Sequence, residues 1–192
     1  MNNYSPPQRL LELPFDGSFT GTDGEAGTAS GVTFTAGYDG LGALFDENDT
    51  LFYAAGDNIN REQGSIEFWL KPHWDGNDGQ NYVFFEIGTT WFNRMRITKD
   101  GANNFRFMVW SADTEYDAAY NVSGWQADEW HHVRVTWEED EIALYLDGIL
   151  RNVETGITLP ASLDSVLYLG SSSGGSVQAQ AVMDEFAIYT KP

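Results

Sequence analysis

Apolar side chains recur at every second position along most of this chain. In Ser65-Ile66-Glu67-Phe68-Trp69-Leu70-Lys71 the residues Ile66, Phe68 and Leu70 share one face, and Glu67, Trp69 and Lys71 take the other. The same alternation sets Val83, Phe85 and Ile87 against Phe84 and Glu86. It sets Met95 and Ile97 against Arg94, Arg96 and Thr98, and Phe105, Phe107 and Val109 against Arg106, Met108 and Trp110. It returns in Val133 and Val135 against His132 and Arg134, and in Ile142, Leu144 and Leu146 against Ala143, Tyr145 and Asp147. No segment sustains a 3.6-residue apolar period over the ten or so residues of a helix. Strands with one apolar face bury it by pairing two antiparallel sheets, so the pattern predicts an all-β sandwich.

The connections agree with that reading. Asp147-Gly148 supplies the positive φ angles of a tight hairpin turn. Glu138-Glu139-Asp140-Glu141 lies between Trp137 and Ile142, where another hairpin must reverse, so these acids read as a solvated turn. Asp75-Gly76-Asn77-Asp78-Gly79 and the run 171–176 of serines and glycines read as exposed loops. Nothing divides the chain, so residues 1–9 are expected to form an N-terminal arm and residues 10–192 a single domain.

Composition narrows the partners. With 29 acidic and 10 basic residues in 192, the net charge is −19, which argues against nucleic acid and anionic membranes. There is no cysteine, hence no disulfide, thiol nucleophile or cysteine-bound zinc. No apolar run approaches the roughly 20 residues that span a bilayer, and the first fifteen residues lack the basic leader and apolar core of a signal peptide. Twelve Phe, nine Tyr and seven Trp supply bulk for one large core.

Several segments resemble the laminin-G-like branch of the concanavalin A-like lectin/glucanase folds. They are Gly37-Tyr38-Asp39-Gly40-Leu41-Gly42-Ala43-Leu44-Phe45, the strand Gly64–Pro72, the pair Trp130-His131-His132-Val133-Arg134-Val135-Thr136-Trp137 and Leu144-Tyr145-Leu146-Asp147-Gly148, and the closing stretch Val182-Met183-Asp184-Glu185-Phe186-Ala187-Ile188-Tyr189. The resemblance implies a two-sheet antiparallel jelly roll whose first and last strands are neighbours, with Leu13 to Asp16 beside Met183 to Tyr189. It also implies a structural calcium ion held by Asp16 and Asp184 with carbonyls around Gly40 and Gly42. Calcium takes six to eight oxygen ligands, and an aspartate among apolar strand residues needs a partner; a hydrogen bond to a loop amide would serve that need equally well.

Catalytic motifs fare poorly. Gly170-Ser171-Ser172-Ser173-Gly174 matches a nucleophile elbow in spelling, but no helix follows it. His131 and His132 fall on opposite faces of one strand and do not converge on a metal. Related glucanases place three acids as E-x-D-x-x-E, whereas Glu115-Tyr116-Asp117-Ala118-Ala119-Tyr120 has tyrosine where the proton donor belongs. Glu67 and Glu86, as a pair on neighbouring strands, are the remaining candidates. An enzyme is therefore not expected.

Two sets of side chains are candidates for binding. One is the non-core face carrying Arg94, Arg96, Arg106 and Arg134 with Glu67, Glu86, Trp69 and Trp110. Indoles stack on sugars and guanidinium groups grip carboxylates or hydroxyls, although the arginines equally well neutralise the glutamates across strands. The other is a loop rim of Trp74, Trp91, Trp125 and Tyr120. These features predict a non-catalytic, lectin-like recognition or adhesion module for glycan or a protein surface. The alternative is a decoration or fibre-associated protein of a phage virion, with homo-oligomer or capsid and tail lattice contacts. The expected location is extracellular or on a virion surface for a phage-encoded or excised domain, and cytoplasmic otherwise.

Overall fold

The computed structural model describes residues 6–90 and 92–192, the side chain of Thr89 excepted. Among these residues there are strands, turns and no helix. The strands in chain order are β1 (Arg9–Leu13), β2 (Thr28–Ser30), β3 (Thr33–Ala36), β4 (Leu41–Phe45), β5 (Thr50–Ala54), β6 (Gly64–Pro72), β7 (Tyr82–Thr90) and β8 (Asn93–Lys99). They continue with β9 (Asn104–Ser111), β10 (Thr114–Asn121), β11 (His131–Glu138), β12 (Glu141–Leu146), β13 (Ile149–Thr155), β14 (Val166–Leu169) and β15 (Ala181–Tyr189). One sheet runs β13-β12-β11-β6-β15-β4-β3, with β1 also on β15; the other runs β10-β9-β8-β7-β14-β5-β2.

All pairings are antiparallel, as the alternation requires. The predicted inward residues Ile66, Phe68, Leu70, Met95, Ile97, Phe105, Phe107, Val109, Val133, Val135, Ile142, Leu144 and Leu146 all lie in one buried cluster between the sheets. Strand β7 departs from strict alternation. Its register with β8 shifts between Val83 and Phe85, so Phe84 joins the core cluster and Val83 does not. An extra residue in one strand of an antiparallel pair produces such a reversal.

The hairpins turn where the composition places them. Asp147 and Gly148 have φ of 55° and 74°, and Asp140 has φ of 75° between the paired Glu138 and Glu141. Positive φ at both central positions, as at Asp147 and Gly148, matches the right-handed twist of the flanking strands. Trp137, fully buried, donates its indole N–H to the Asn60 carbonyl at 2.9 Å and lies against Gly64, where a Cβ would collide with the ring.

The first and last strands are neighbours: Leu11, Glu12 and Leu13 pair with Ile188, Ala187 and Phe186. The other end of the same edge of β15 pairs with β4, Ala181 to Met183 opposite Phe45 to Ala43. Strands β1 and β4 thus lie end to end along β15, with β6 on its other side. The sheet begins earlier than the expected boundary at residue 10. Arg9 is already paired, and Gln8 exchanges backbone and side-chain bonds with Thr190. The first five residues of the expected arm lie outside the described residues.

Candidate ligand-binding site

The site is set by a β-bulge in β15. Asp184 lies opposite Trp69, and Ala187 opposite Glu67, so Glu185 and Phe186 together face the single residue between them on β6. Glu185 takes φ of 49°, unusual for a side-chain-bearing residue. Met183 and Phe186 both remain in the core, and the two acids between them are displaced to the outer face.

Asp184 is fully buried and its carboxylate accepts three backbone amides. Oδ2 accepts from Tyr38 N at 2.8 Å and Asp39 N at 3.1 Å, and Oδ1 accepts from Glu185 N at 2.9 Å. Asp16 does the same at the far end of that turn: Oδ1 accepts from Leu41 N at 2.9 Å. The two aspartates therefore clamp the turn between β3 and β4. Gly40 must be glycine here, because its φ is 55° and a Cβ would strike Asp16 Oδ1.

The clamped turn presents an aromatic platform. Tyr38 lies flat on Trp69, centroids 3.6 Å apart and planes 8° apart, and remains 50% exposed. Trp130 meets Tyr38 edge-on at 5.8 Å, His132 packs against Trp69 at 5.0 Å, and Lys71 Nζ sits 5.2 Å from the Trp130 ring. Beside the platform is a depression of about 350 Å³ whose walls carry Glu12, Asp39, Glu67 and Glu185, with Tyr189 at one side.

Two of the four acids have partners. Arg9 pairs with Glu12, and the Tyr189 hydroxyl donates to Glu67 Oε1 at 3.0 Å. Burial and the adjacent Glu67 push the Tyr189 phenol up to about 12, so it stays a donor. The Asp39 and Glu185 carboxylates have no hydrogen bond or ion pair among the described residues. Burial raises the Glu185 carboxyl above its ordinary range, and repulsion from Asp184, Glu12, Asp39 and Asp16 adds to it. Asp184 is also raised, by burial first; its three amide donors work in the opposite direction.

The calcium expected at Asp16, Asp184, Gly40 and Gly42 meets only part of its shell here. The carboxylates are in place, close enough to repel, but the turn directs N–H groups at them. The Gly40 carbonyl accepts from Gly37 N at 3.1 Å, and Gly42 is committed to the β3–β4 ladder opposite Thr35. Among the described residues no group of three or more acids or histidines is arranged to hold a metal ion.

The arginine face divides between the sheets. Trp69, Glu67 and Arg134 belong to the first sheet, where Arg134 lies opposite Glu67 and 5.5 Å from the Tyr145 ring. Arg94, Arg96, Arg106, Glu86 and Trp110 belong to the second. Glu67 and Glu86 are therefore on different sheets and form no pair, because β6 and β7 are joined by a crossing connection rather than a hairpin. Glu86 is buried and neutralised by Arg96, and its Oε1 accepts from Ser173 N at 3.0 Å. Arg106 is occupied by Asp117 and Glu115, both at 2.8 Å. Although burial opposes its charge, these two acids hold its guanidinium above its ordinary value. The E-x-D-like stretch thus serves as a counterion for one arginine. Arg94 is buried against Trp110 at 5.4 Å. Cross-strand neutralisation explains Arg96 and Arg106.

The expected aromatic rim is a correction as well. Trp74 is buried in the core cluster, stacked on Tyr82 at 4.6 Å, with its indole N–H donating to Ala179 O at 3.0 Å. Trp125 packs against that cluster and stacks on His131 at 3.8 Å. Both tryptophans close one end of the sandwich, where Lys99, also buried, bonds Asp78 at 2.6 Å under the Trp74 ring. Trp91 lies outside the described residues.

Sequence reasoning reached Trp69 and missed Tyr38, Trp130, His132, Glu12, Asp39 and Glu185 as a set. One signal was present: two consecutive acids between the core residues Met183 and Phe186 break the two-residue period and mark a bulge.

Comparison with known proteins accords with the architecture. By sequence, no curated protein matches the chain. By structure, domain 4 of AbnA, a GH43 extracellular arabinanase from Geobacillus stearothermophilus solved in complex with arabinotriose, superposes with a TM-score of 0.79 at 15% identity. The match covers 96% of this chain and 93% of that one. The binding domain of botulinum neurotoxin serotype D gives 0.75 at 14% identity, covering 95% and 48%. The binding domain of Paraclostridial Mosquitocidal Protein 1 gives 0.75 at 16%, covering 95% and 49%. The chain therefore spans about half the length of the two toxin domains. These likenesses concern the fold. The Laminin_G_3 profile of the concanavalin A-like lectin/glucanase superfamily matches residues 45–192, and with most of its length so matched the chain belongs to that family.

Proposed function

We propose that this domain is a non-catalytic glycan-recognition module whose ligand lies on the outer face of the first sheet, across Tyr38 and Trp69. The observation that carries the reading is the parallel Tyr38–Trp69 stack, its Tyr38 half exposed, whose two rings help line an acid-walled depression. An exposed aromatic plane offers the apolar face of a pyranose a flat partner, and neighbouring carboxylates accept its hydroxyl protons. Holding that plane costs little, because the turn that carries Tyr38 is fastened by Asp184 and Asp16 before any ligand arrives. The solved neighbours support the reading: AbnA domain 4 was solved with arabinotriose, and a botulinum neurotoxin DC binding domain with SialylT. A non-catalytic role rests on the engagement of Glu86, Glu115 and Asp117 by arginines and peptide amides.

A glycan array followed by calorimetry tests this. Binding in the micromolar range, lost at least tenfold in both Tyr38→Ala and Trp69→Ala, is the expected result. A blank array, or binding unaffected by both substitutions, refutes it. Turnover of a bound polysaccharide, abolished in Glu67→Gln, would replace the non-catalytic reading with an enzymatic one.

A structural calcium ion on Asp16 and Asp184 is a separate proposal, supported by the family resemblance and by the crowding of carboxylates around β15. Chelator should lower the melting temperature, added calcium should restore it, and Asp184→Ala should abolish the response. A melting temperature indifferent to chelator removes the metal.

A further inference from the structure

We propose that the ligand is an extended oligosaccharide rather than a single sugar, and that it runs from the Tyr38–Trp69 platform past Glu67 and Tyr189 to Arg134 in a second hollow. The inference rests on the glycan reading above and adds the length and path of the ligand to it.

The register of the first sheet lays out that path. On β6 the side chains of Trp69, Glu67 and Ser65 follow one another on the outer face, since Ile66, Phe68 and Leu70 occupy the core. Beside Trp69 and Glu67, β11 places His132 and Arg134; beside Glu67 and Ser65, β15 places Ala187 and Tyr189. From the Trp69 row to the Ser65 row is about 13 Å at the rise of a strand. The depression of about 350 Å³ next to the platform occupies the near part of this face. A second hollow of about 150 Å³ takes the far part, lined by Pro7, Ser65 and Arg134. Glu67 and Tyr189, joined by a hydrogen bond of 3.0 Å, line both. Ala187, opposite Glu67, brings only a methyl group to that stretch.

Arg134 gives the second hollow its chemistry. It stands opposite Glu67, yet Glu67 Oε1 is taken by the Tyr189 hydroxyl. Among the described residues its guanidinium engages only the Tyr145 ring, at 5.5 Å. In a chain of net charge −19 such an arginine stands out, because Arg9, Arg61, Arg96 and Arg106 each hold a carboxylate. Its planar fork presents paired N–H donors that suit adjacent hydroxyl oxygens of a sugar ring. Midway, the Glu67 carboxylate and the Tyr189 oxygen accept hydroxyl protons. A single sugar on the Tyr38 ring leaves these groups unused. Linked rings lying along the sheet meet them in succession, so affinity rises with chain length until the second hollow is filled.

The test is calorimetric titration of the whole chain with neutral cello-, xylo-, malto- and arabino-oligosaccharides, each as disaccharide and tetrasaccharide. In a series that binds, the tetramer should bind at least tenfold tighter than the dimer. Arg134→Met, which keeps the apolar stem, should lose that gain and leave the dimer's affinity unchanged, while Tyr38→Ala should weaken both. In the unaltered protein the Arg134 Nε–H resonance should shift with the tetramer and not with the dimer, which decides the matter if the variant fails to fold. Equal affinity for dimer and tetramer overturns the extended path and leaves the glycan reading intact. So does a gain that survives Arg134→Met, or an Nε–H resonance that the bound tetramer leaves unmoved. No binding in any series also overturns it, and with a blank array overturns the glycan reading itself.

Discussion

Glu185 pays for its position in the fold, and that cost is measurable. A carboxyl whose folded value is raised binds protons more readily in the folded chain than in the unfolded one, so stability falls as pH rises through the window just above the ordinary carboxylate range. Glu185→Gln removes a half-buried, unpaired charge and should raise the melting temperature at pH 7 by about 2 °C, what somewhat under 1 kcal/mol does in a domain of this size. Repeating the melt at progressively lower pH should shrink the difference, because the raised wild-type carboxyl takes up its proton before an ordinary glutamate does. Gly40→Ala should act in the opposite direction. A Cβ at φ of 55° facing Asp16 Oδ1 disturbs the clamp on the turn, and a loss of about 1–3 kcal/mol in urea denaturation is expected. Glu185 was not legible as functional in the sequence, and Gly40 was expected only as a carbonyl donor to calcium, not for the turn it makes possible. Nothing local tells this glutamate that its neighbours in space include residues 12 and 39.

Strands β6 to β9, β11 and β12, in contrast, were legible from the sequence, because a period of two with β-branched and aromatic residues is a direct imprint of a sheet with one buried face. What failed at this scale were the irregularities. The bulges in β7 and β15 shift which face a side chain joins, moving Phe84 inward and Glu185 outward. The loops holding Trp74 and Trp125 read as exposed from their glycines and asparagines, yet they fold over one end of the core. Their tryptophans should accordingly be structural: Trp74→Ala should cost about 3–5 kcal/mol by denaturant unfolding and leave ligand affinity per folded molecule unchanged. A Trp74→Ala protein of undiminished stability that no longer binds glycan would return these loops to the binding surface.

The pairing of the two sheets follows from the family pattern and from the demand that every apolar face be covered. The assignment of strands to sheets did not follow, since β6 and β7 are adjacent in sequence and belong to different layers. That single crossing separates Glu67 from Glu86 and divides the arginines. At this scale charge becomes the dominant variable. With 29 acidic against 10 basic side chains, self-repulsion opposes compaction, and raising sodium chloride from about 0.05 to 0.5 M, which shortens the screening length to a few ångströms, should raise the melting temperature. The Glu185→Gln variant should gain less from salt than the wild type. A melting temperature that falls with salt would show attractive surface pairs to outweigh the excess.

Strands β1 and β15 run side by side in opposite directions, and the bond between Gln8 and Thr190 fastens their outer ends. Pro7 and Lys191 consequently border one small hollow together with Glu67 and Tyr189. Pro7 and Lys191 lie on the same flank, and the hollow they border shares Glu67 and Tyr189 with the acid-walled depression. A graft that splices this domain into a loop of another protein needs only a brief tether at each side, and the host's surface would then form one bank of the groove.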